Sequence, residues 1–277
     1  MRSLSILFVL FLFSGAAYGK EPITIYLAGD STMAQKLPAK RPETGWGEEL
    51  QKFFKEGTVV VDNRAKNGRS TRTFIAEKLW QGIVERLKEG DYVFIEFGHN
   101  DSSKEKTDRY TPPEDYRRNL VRFITEAREK GAIPVLLTPV MRRRFDKNGD
   151  FQDSHGVYPD IVRAVAAEYK VALIDMHRKS EQVIKQYGVE ESRKLFLQLK
   201  PGENSNYPKG VEDNTHFSPL GAEVMARLVV EGIREQKLGL AKYLRKSNGN
   251  GSQTELKPAR QQPASAIRAS LFSLLGA

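Results

Sequence analysis

The chain has 277 residues, 39% of them apolar, and carries 44 lysines and arginines against 35 acidic residues, a formal charge of +9 at pH 7. That composition supports a sizeable core, in one large α/β domain or two small ones. The absence of cysteine excludes disulfides, cysteine-type zinc sites and thiol chemistry together, while the basic balance favours acidic partners: nucleic acid, anionic lipid or a polyanionic glycan.

Residues 1–19 differ in kind from the rest. Arg2 precedes eight unbroken apolar residues at 6–13, and Ala17 and Gly19 give a small-x-small ending. That pattern predicts a secretory signal peptide cut before Lys20. Its apolar centre is too short to span a bilayer, so no stable membrane insertion is expected. Losing Arg2 leaves a formal charge of +8. Export without disulfides suits a periplasmic or secreted bacterial protein and argues against a nucleic-acid partner.

Residues 23–28 form a short β-branched apolar run between Pro22 and Gly29, which reads as a buried strand ending in Gly29-Asp30-Ser31-Thr32. Trp46, Leu50, Phe53 and Phe54 recur at helical spacing over 44–54. A second strand at 58–61 runs into a polar turn containing Asn67-Gly68, a pair that tolerates positive φ and can aim a backbone amide at a ligand. A helix over 72–88 follows, flawed at Gly82. The third strand, 92–97, runs into Gly98-His99-Asn100-Asp101. Thr111-Pro112-Pro113-Glu114 predicts a capping box for a helix striped by Tyr116, Leu120, Phe123, Ile124 and Ala127. A fourth strand at 133–138 leads to a long polar loop, 139–159, carrying Arg142, Arg143 and Arg144. Loops of that length are commonly functional. A helix at 158–169, a fifth strand at 171–174 and two helical segments over 177–199 come next. Asp213-Asn214-Thr215-His216 lies just before a last helix capped by Ser218 and begun by Pro219. Residues 20–246 therefore read as one domain of alternating strands and helices with a parallel sheet, and 247–277 as a polar, disordered tail.

Ser31 stands at a strand exit, where open parallel sheets bind ligands. A serine nucleophile needs a histidine base and donors for the developing oxyanion. Asp213 and His216, three residues apart, are close enough for a carboxylate to orient one ring nitrogen while the other faces outward. No G-x-S-x-G occurs, which excludes the α/β-hydrolase elbow.

Taken in order, Gly29 to Ser31, the Gly68 turn, Gly98 to Asp101 and Asp213 to Phe217 resemble the four sequence blocks of the SGNH (GDSL) hydrolase superfamily. With His155-Gly156-Val157-Tyr158-Pro159 added, the chain is most similar to rhamnogalacturonan acetylesterases. The resemblance implies a flavodoxin-like three-layer α/β/α sandwich around a five-stranded parallel sheet. It implies Ser31 as nucleophile, His216 as base and Asp213 as its orienting carboxylate, with the Ser31 and Gly68 amides and the Asn100 side chain as oxyanion hole. The expected activity is deacetylation of an acidic plant cell-wall polysaccharide by a monomer. An acetylxylan esterase, a lysophospholipase and a non-catalytic carbohydrate-binding protein are the alternatives. His99 and Arg142 to Arg144 are candidate substrate contacts. His155 and His177 read as structural, Asp30 as a holder of its turn. Asp30 and Asp101 lack the partners of a metal site, so neither metal nor cofactor is expected.

Overall fold

The computed structural model describes residues 21–246; the expected signal peptide at 1–19 and the expected tail at 247–277 lie outside them. In chain order the elements are β1 (Ile23–Gly29), α1 (Trp46–Glu49), β2 (Val59–Asn63), α2 (Thr71–Ala76), α3 (Leu79–Val84), β3 (Tyr92–Glu96) and α4 (Pro113–Glu129). They continue with β4 (Ile133–Leu137), α5 (Tyr158–Glu168), β5 (Ala172–Ile174), α6 (Met176–Glu191), β6 (Phe196–Leu199), β7 (Val211–Phe217) and α7 (Pro219–Glu235).

Because side chains alternate along a strand, β1 sends Ile25 and Leu27 to one face of the sheet and Tyr26 and Ala28 to the other. The first face packs Trp46 of α1, Met176 and Ile184 of α6, and Met225 and Val229 of α7. The second packs Phe74 of α2, Trp80 of α3, Tyr116 and Phe123 of α4, and Val162 of α5. Each fully buried aromatic or aliphatic side chain contributes about 1.5–3 kcal/mol. Two such layers explain why the strands read as continuous apolar runs. The five main strands are all parallel, in the order β2-β1-β3-β4-β5. This is the three-layer sandwich that the resemblance implies. From β1 the chain passes first to one side, to β2, and then to the other, to β3. That reversal opens a crevice between the exits of β1 and β3, the place where open α/β sheets bind ligands.

Several local expectations are corrected. The helix expected over 72–88 is two, and the break falls at Lys78, which is left-handed at φ 59°, rather than at Gly82 inside α3. Thr111 forms no capping box. Helix α4 starts one residue later, at Pro113 behind Pro112, without a side-chain cap, and the Thr111 amide is spent on the Asp101 carbonyl at 3.1 Å. The second helical segment over 177–199 closes as strand β6, whose Phe196 pairs with Phe217 of β7 in a separate antiparallel sheet. Asp213 and His216 accordingly sit on a strand. The Ser218 cap is as expected, its hydroxyl accepting from the Gly221 amide at 3.1 Å. Among the described residues no helix is long and apolar enough to cross a membrane.

Candidate active site

At the exit of β1 the backbone closes a tight turn, the Asp30 carbonyl accepting from the amides of Met33 (3.3 Å) and Ala34 (3.0 Å). Asp30 Oδ1 also accepts from the Thr32 amide at 3.0 Å, so this buried carboxylate holds its turn. Gly29 pairs with Glu96 of β3, and a Cβ there would stand 2.9 Å from the Glu96 carbonyl oxygen, which reserves the position for glycine. Ser31 is thereby lifted, half-buried, to the rim.

Strand β7 meets it from the other side. His216 Nε2 lies 2.8 Å from Ser31 Oγ, and His216 Nδ1 lies 2.7 Å from Asp213 Oδ2. Asp213 Oδ1 accepts from the amides of Thr215 (2.7 Å) and His216 (2.9 Å), which fixes the carboxylate against its own strand. Burial by itself would raise the Asp213 pKa. The His216 hydrogen bond and charge, with these two amides, outweigh burial and bring it down to about 2. A permanently ionised carboxylate on Nδ1 selects the tautomer whose Nε2 can take a proton from the serine.

The other turns converge on the same crevice. Gly68 is at φ 74°, a conformation that favours glycine. Asn100 donates one amide hydrogen to the Arg69 carbonyl at 2.9 Å, which anchors the side chain and leaves the second hydrogen free to point elsewhere. Among the described residues, no protein acceptor takes up the N–H of Ser31 or of Gly68.

Two buried ionisable groups under this rim were not singled out from the sequence. Lys36, 3% exposed, places Nζ 2.8 Å from Glu43 and 3.0 Å from Asn67 Oδ1, and also donates to the Ser31 carbonyl. It ties the Ser31 turn to the Gly68 turn. Glu96, 1% exposed, accepts from Trp46 Nε1 at 2.7 Å. The Thr32 hydroxyl lies 2.9 Å from Asp30 and 3.1 Å from Glu96. Carrying one proton, it can donate to only one of them, so the other contact requires a protonated acid. Glu96 meets that need, since burial and then the Asp30 charge push its pKa up to about 8. Asp101 is likewise pushed up, to about 7, by burial; its Oδ1 accepts from the Thr71 amide and hydroxyl, which pins the Gly98 to Asp101 turn to α2.

The arginine run divides by role. Arg143 turns inward, donating to Ser192 Oγ (3.0 Å), Asn214 Oδ1 (3.0 Å) and the Val189 carbonyl, and so clasps α6 to β7. Arg142 is half-buried and donates to Ser154 Oγ (3.1 Å) and the His99 carbonyl (3.0 Å). Arg144 is exposed. All three line a cleft of about 520 Å³ that also takes in Lys106, Ser154, Asn214 and Thr215, the last two being neighbours of His216 on β7. His99 is 4% exposed, outside that lining, with Nδ1 3.1 Å from His155 Nε2. Burial and the Arg142 charge hold its pKa well below the ordinary value, so the ring is neutral.

The chain belongs to the GDSL-like lipase/acylhydrolase family, whose profile matches residues 27–224, and is a carboxylic ester hydrolase. It is 46% identical over 225 residues to the rhamnogalacturonan acetylesterase RhgT of Bacillus subtilis strain 168, covering 81% of this chain and 95% of the relative. It is 39% identical over 221 residues to the probable rhamnogalacturonan acetylesterase YesY of the same organism, covering 79% and 96%. Among solved structures, an acetylxylan esterase of Geobacillus stearothermophilus superposes with a TM-score of 0.56 at 18% identity, over 78% of this chain and 96% of that one; this likeness speaks to the fold alone.

Proposed function

We propose that the protein is an exported, monomeric serine esterase that removes acetyl groups from a plant cell-wall polysaccharide, rhamnogalacturonan first among them. The observation that carries this reading is the unbroken hydrogen-bonded chain from Ser31 Oγ through His216 to Asp213. Ser31 Oγ attacks the acetyl carbonyl while its proton passes to His216 Nε2. The oxyanion is met by the N–H groups of Ser31 and Gly68 and the second amide hydrogen of Asn100. Each such donor is worth about 3 kcal/mol of the barrier. As the sugar oxygen leaves with the proton from His216, an acetyl-serine remains. Water then attacks it with His216 again acting as base, releasing acetate and restoring Ser31. The names of the two Bacillus relatives support the substrate, as does a cleft whose lining includes Arg142, Arg144 and Lys106, since this polymer carries a uronate in every disaccharide.

Acetate release from acetylated rhamnogalacturonan, acetylated xylan and a lysophospholipid, measured side by side, tests the reading. Wild type should favour the first, and Ser31→Ala should release nothing while folding normally. A preference for xylan or lipid would replace the substrate. Failure of a serine-directed organophosphonate to label Ser31 would leave a carbohydrate-binding protein instead. N-terminal sequencing of protein recovered outside the cytoplasm should begin at Lys20 if export follows the expected cleavage.

A further inference from the structure

The chain contains four histidines and no cysteine. His216 faces Ser31; of the other three, His155 and His177 flank Asp153, and His99 stands behind His155. Sequence spacing gives no hint of this, because the residues come from the exit of β3, the long loop after β4 and the first turn of α6. We propose that Asp153, His155 and His177 bind one divalent cation of the zinc class, which clamps the loop to α6.

Two of the three ligand separations already match those of a tetrahedral site. A cation held at about 2.0–2.1 Å from nitrogen and oxygen ligands in tetrahedral array separates those ligands by about 3.3 Å. Asp153 Oδ1 stands 3.4 Å from His155 Nδ1 and 3.2 Å from His177 Nε2, and the three candidate ligand atoms all lie within 4.8 Å of one another. The rings of His155 and His177 meet edge to face, 78° apart with centroids at 5.6 Å.

His155 is the second, independent pointer. It is 1% exposed, and its Nδ1 has no hydrogen-bond partner among the described residues. A buried ring nitrogen left without a partner costs free energy in an apolar interior, and a ligand would remove that cost. Its other nitrogen is 3.1 Å from His99 Nδ1. A proton on His155 Nε2 donated to His99 leaves a lone pair on Nδ1 directed toward Asp153. That is how an outer partner sets the tautomer of a metal-binding histidine.

His177 is anchored independently of any ion. Its backbone amide donates to Thr138 Oγ1 at 2.8 Å, and Asp175 caps the helix by accepting from the Arg178 amide at 3.3 Å. Two contacts oppose binding. His177 Nε2 hydrogen-bonds Asp153 Oδ1 at 3.2 Å, a bond the ion would replace with two ligand bonds. Arg163 Nη2 lies 3.4 Å from His177 Nδ1, and coordination through Nε2 would put the ring proton on Nδ1. Arg163 keeps its bonds to Asp175 at 2.9 and 3.0 Å and to Asp160 at 2.6 Å, so it gives up only its longest contact, and those two carboxylates balance its charge. The Asp153 side chain is 43% exposed, which gives the ion an entry path and a fourth position open to water. Imidazole with carboxylate suits zinc over calcium or magnesium, which prefer all-oxygen shells. Since Ser154 lines the cleft beside Arg142, the clamp would set the cleft wall without entering the ester chemistry.

The test uses tag-free, full-length protein stripped with a chelator, dialysed, and titrated with zinc chloride by calorimetry, with metal content read afterwards. One zinc per chain should bind at micromolar Kd or tighter, and zinc at a hundredfold excess over Kd should raise Tm by roughly 5–10 °C. Asp153→Asn and His177→Gln, each checked for native circular dichroism, should lose the stoichiometric binding and the Tm rise, and magnesium should produce neither. Folded wild type that takes up less than one zinc per chain would overturn the site, as would uptake that survives in both variants.

Discussion

Replacing Lys36 by methionine separates two roles that its position combines. Its Nζ, 3% exposed with the rest of the residue, serves Glu43 at 2.8 Å, Asn67 at 3.0 Å and the Ser31 carbonyl. Methionine keeps the stem's volume and removes the charge. Glu43, whose side chain is 10% exposed, then loses its cation, and removing one partner of a buried ion pair costs about 3–5 kcal/mol. For a domain of this size that corresponds to a fall in Tm of roughly 6–20 °C. Lys36→Met with Glu43→Leu removes both charges and should recover most of that stability, because the penalty comes from the charge left unpaired. It should not recover turnover. Lys36 holds the Ser31 carbonyl and the side chain of Asn67, which precedes Gly68, so it spaces the two backbone amides proposed for the oxyanion. A displacement near 1 Å there costs on the order of 100-fold. Turnover of a small acetate ester, assayed well below Tm, should therefore fall about 10- to 100-fold in both variants, with KM changed far less. A double variant with wild-type kcat would refute the spacing role and leave Lys36 as the counter-ion of Glu43 alone. A single variant with unchanged Tm would refute the energetic argument itself.

Asp213→Asn should lower kcat by about 10⁴ with little change in KM, because the imidazole loses its tautomer and its counter-charge; intact turnover would move the orienting role elsewhere. The same carboxylate is held at about 2 in the fold against an ordinary 3.8, so it contributes about 2 kcal/mol of stability above pH 3.8 that is lost as pH falls through 2. Acid unfolding of the asparagine variant should lack that component, and identical acid limbs would contradict it. Glu96 has the opposite sign. With its folded pKa at about 8 against 4.5, the unfolded chain releases a proton that the fold retains, so stability falls by roughly 1.4 kcal/mol per pH unit between 4.5 and 8. Glu96→Gln, which mimics the protonated acid, should match wild type near pH 4.5 and exceed it in urea unfolding at pH 8; a variant less stable at pH 8 would show that the ionised form is the native one. Arg144→Ala should raise KM for acetylated rhamnogalacturonan and leave a small neutral ester untouched, and added salt should do the same, since exposed charges are screened over about 10 Å at 0.1 M. Equal salt sensitivity on both substrates would remove the electrostatic argument.

The sheet was legible because its signals are local. Each main strand is a short apolar run that ends in a polar turn, and parallel strands need covering layers whose stripes are equally local, as with Tyr116, Leu120 and Phe123 on α4. The pair β6 and β7 was not legible. Its partners are separated by the 200–210 loop and its register shifts between Phe196 and Gln198, so residues 196–199 look like the end of the preceding helix. The break at Lys78 is of the same kind. Gly82 has the weaker intrinsic helix propensity, yet α3 tolerates it.

For the site, the residues on the rim could be read and those beneath it could not. Ser31 stands in a polar turn, and Asp213 and His216 stand three apart on β7 just before a capped helix, whereas Lys36 lies in a proline-rich loop that looks solvated, and only its contacts in the fold, with Ser31, Glu43 and Asn67, reveal it as an interior cation. Glu96 did leave a signal. An acid inside a strand buried on both faces, Tyr92–Glu96, requires a partner or a proton, and in the fold it has Trp46 for one oxygen and a proton to share with Thr32 for the other. These two buried groups lie where the strand order reverses, Lys36 bracing the Ser31 turn against the Gly68 turn and Glu96 sitting under β1 beside Gly29. A crevice opened by strand order alone would not hold donors to within a few tenths of an ångström. The buried Lys36 cation and the protonated Glu96 are what convert an opening between two strands into a site of fixed dimensions, at a cost in burial that the surrounding hydrogen bonds offset.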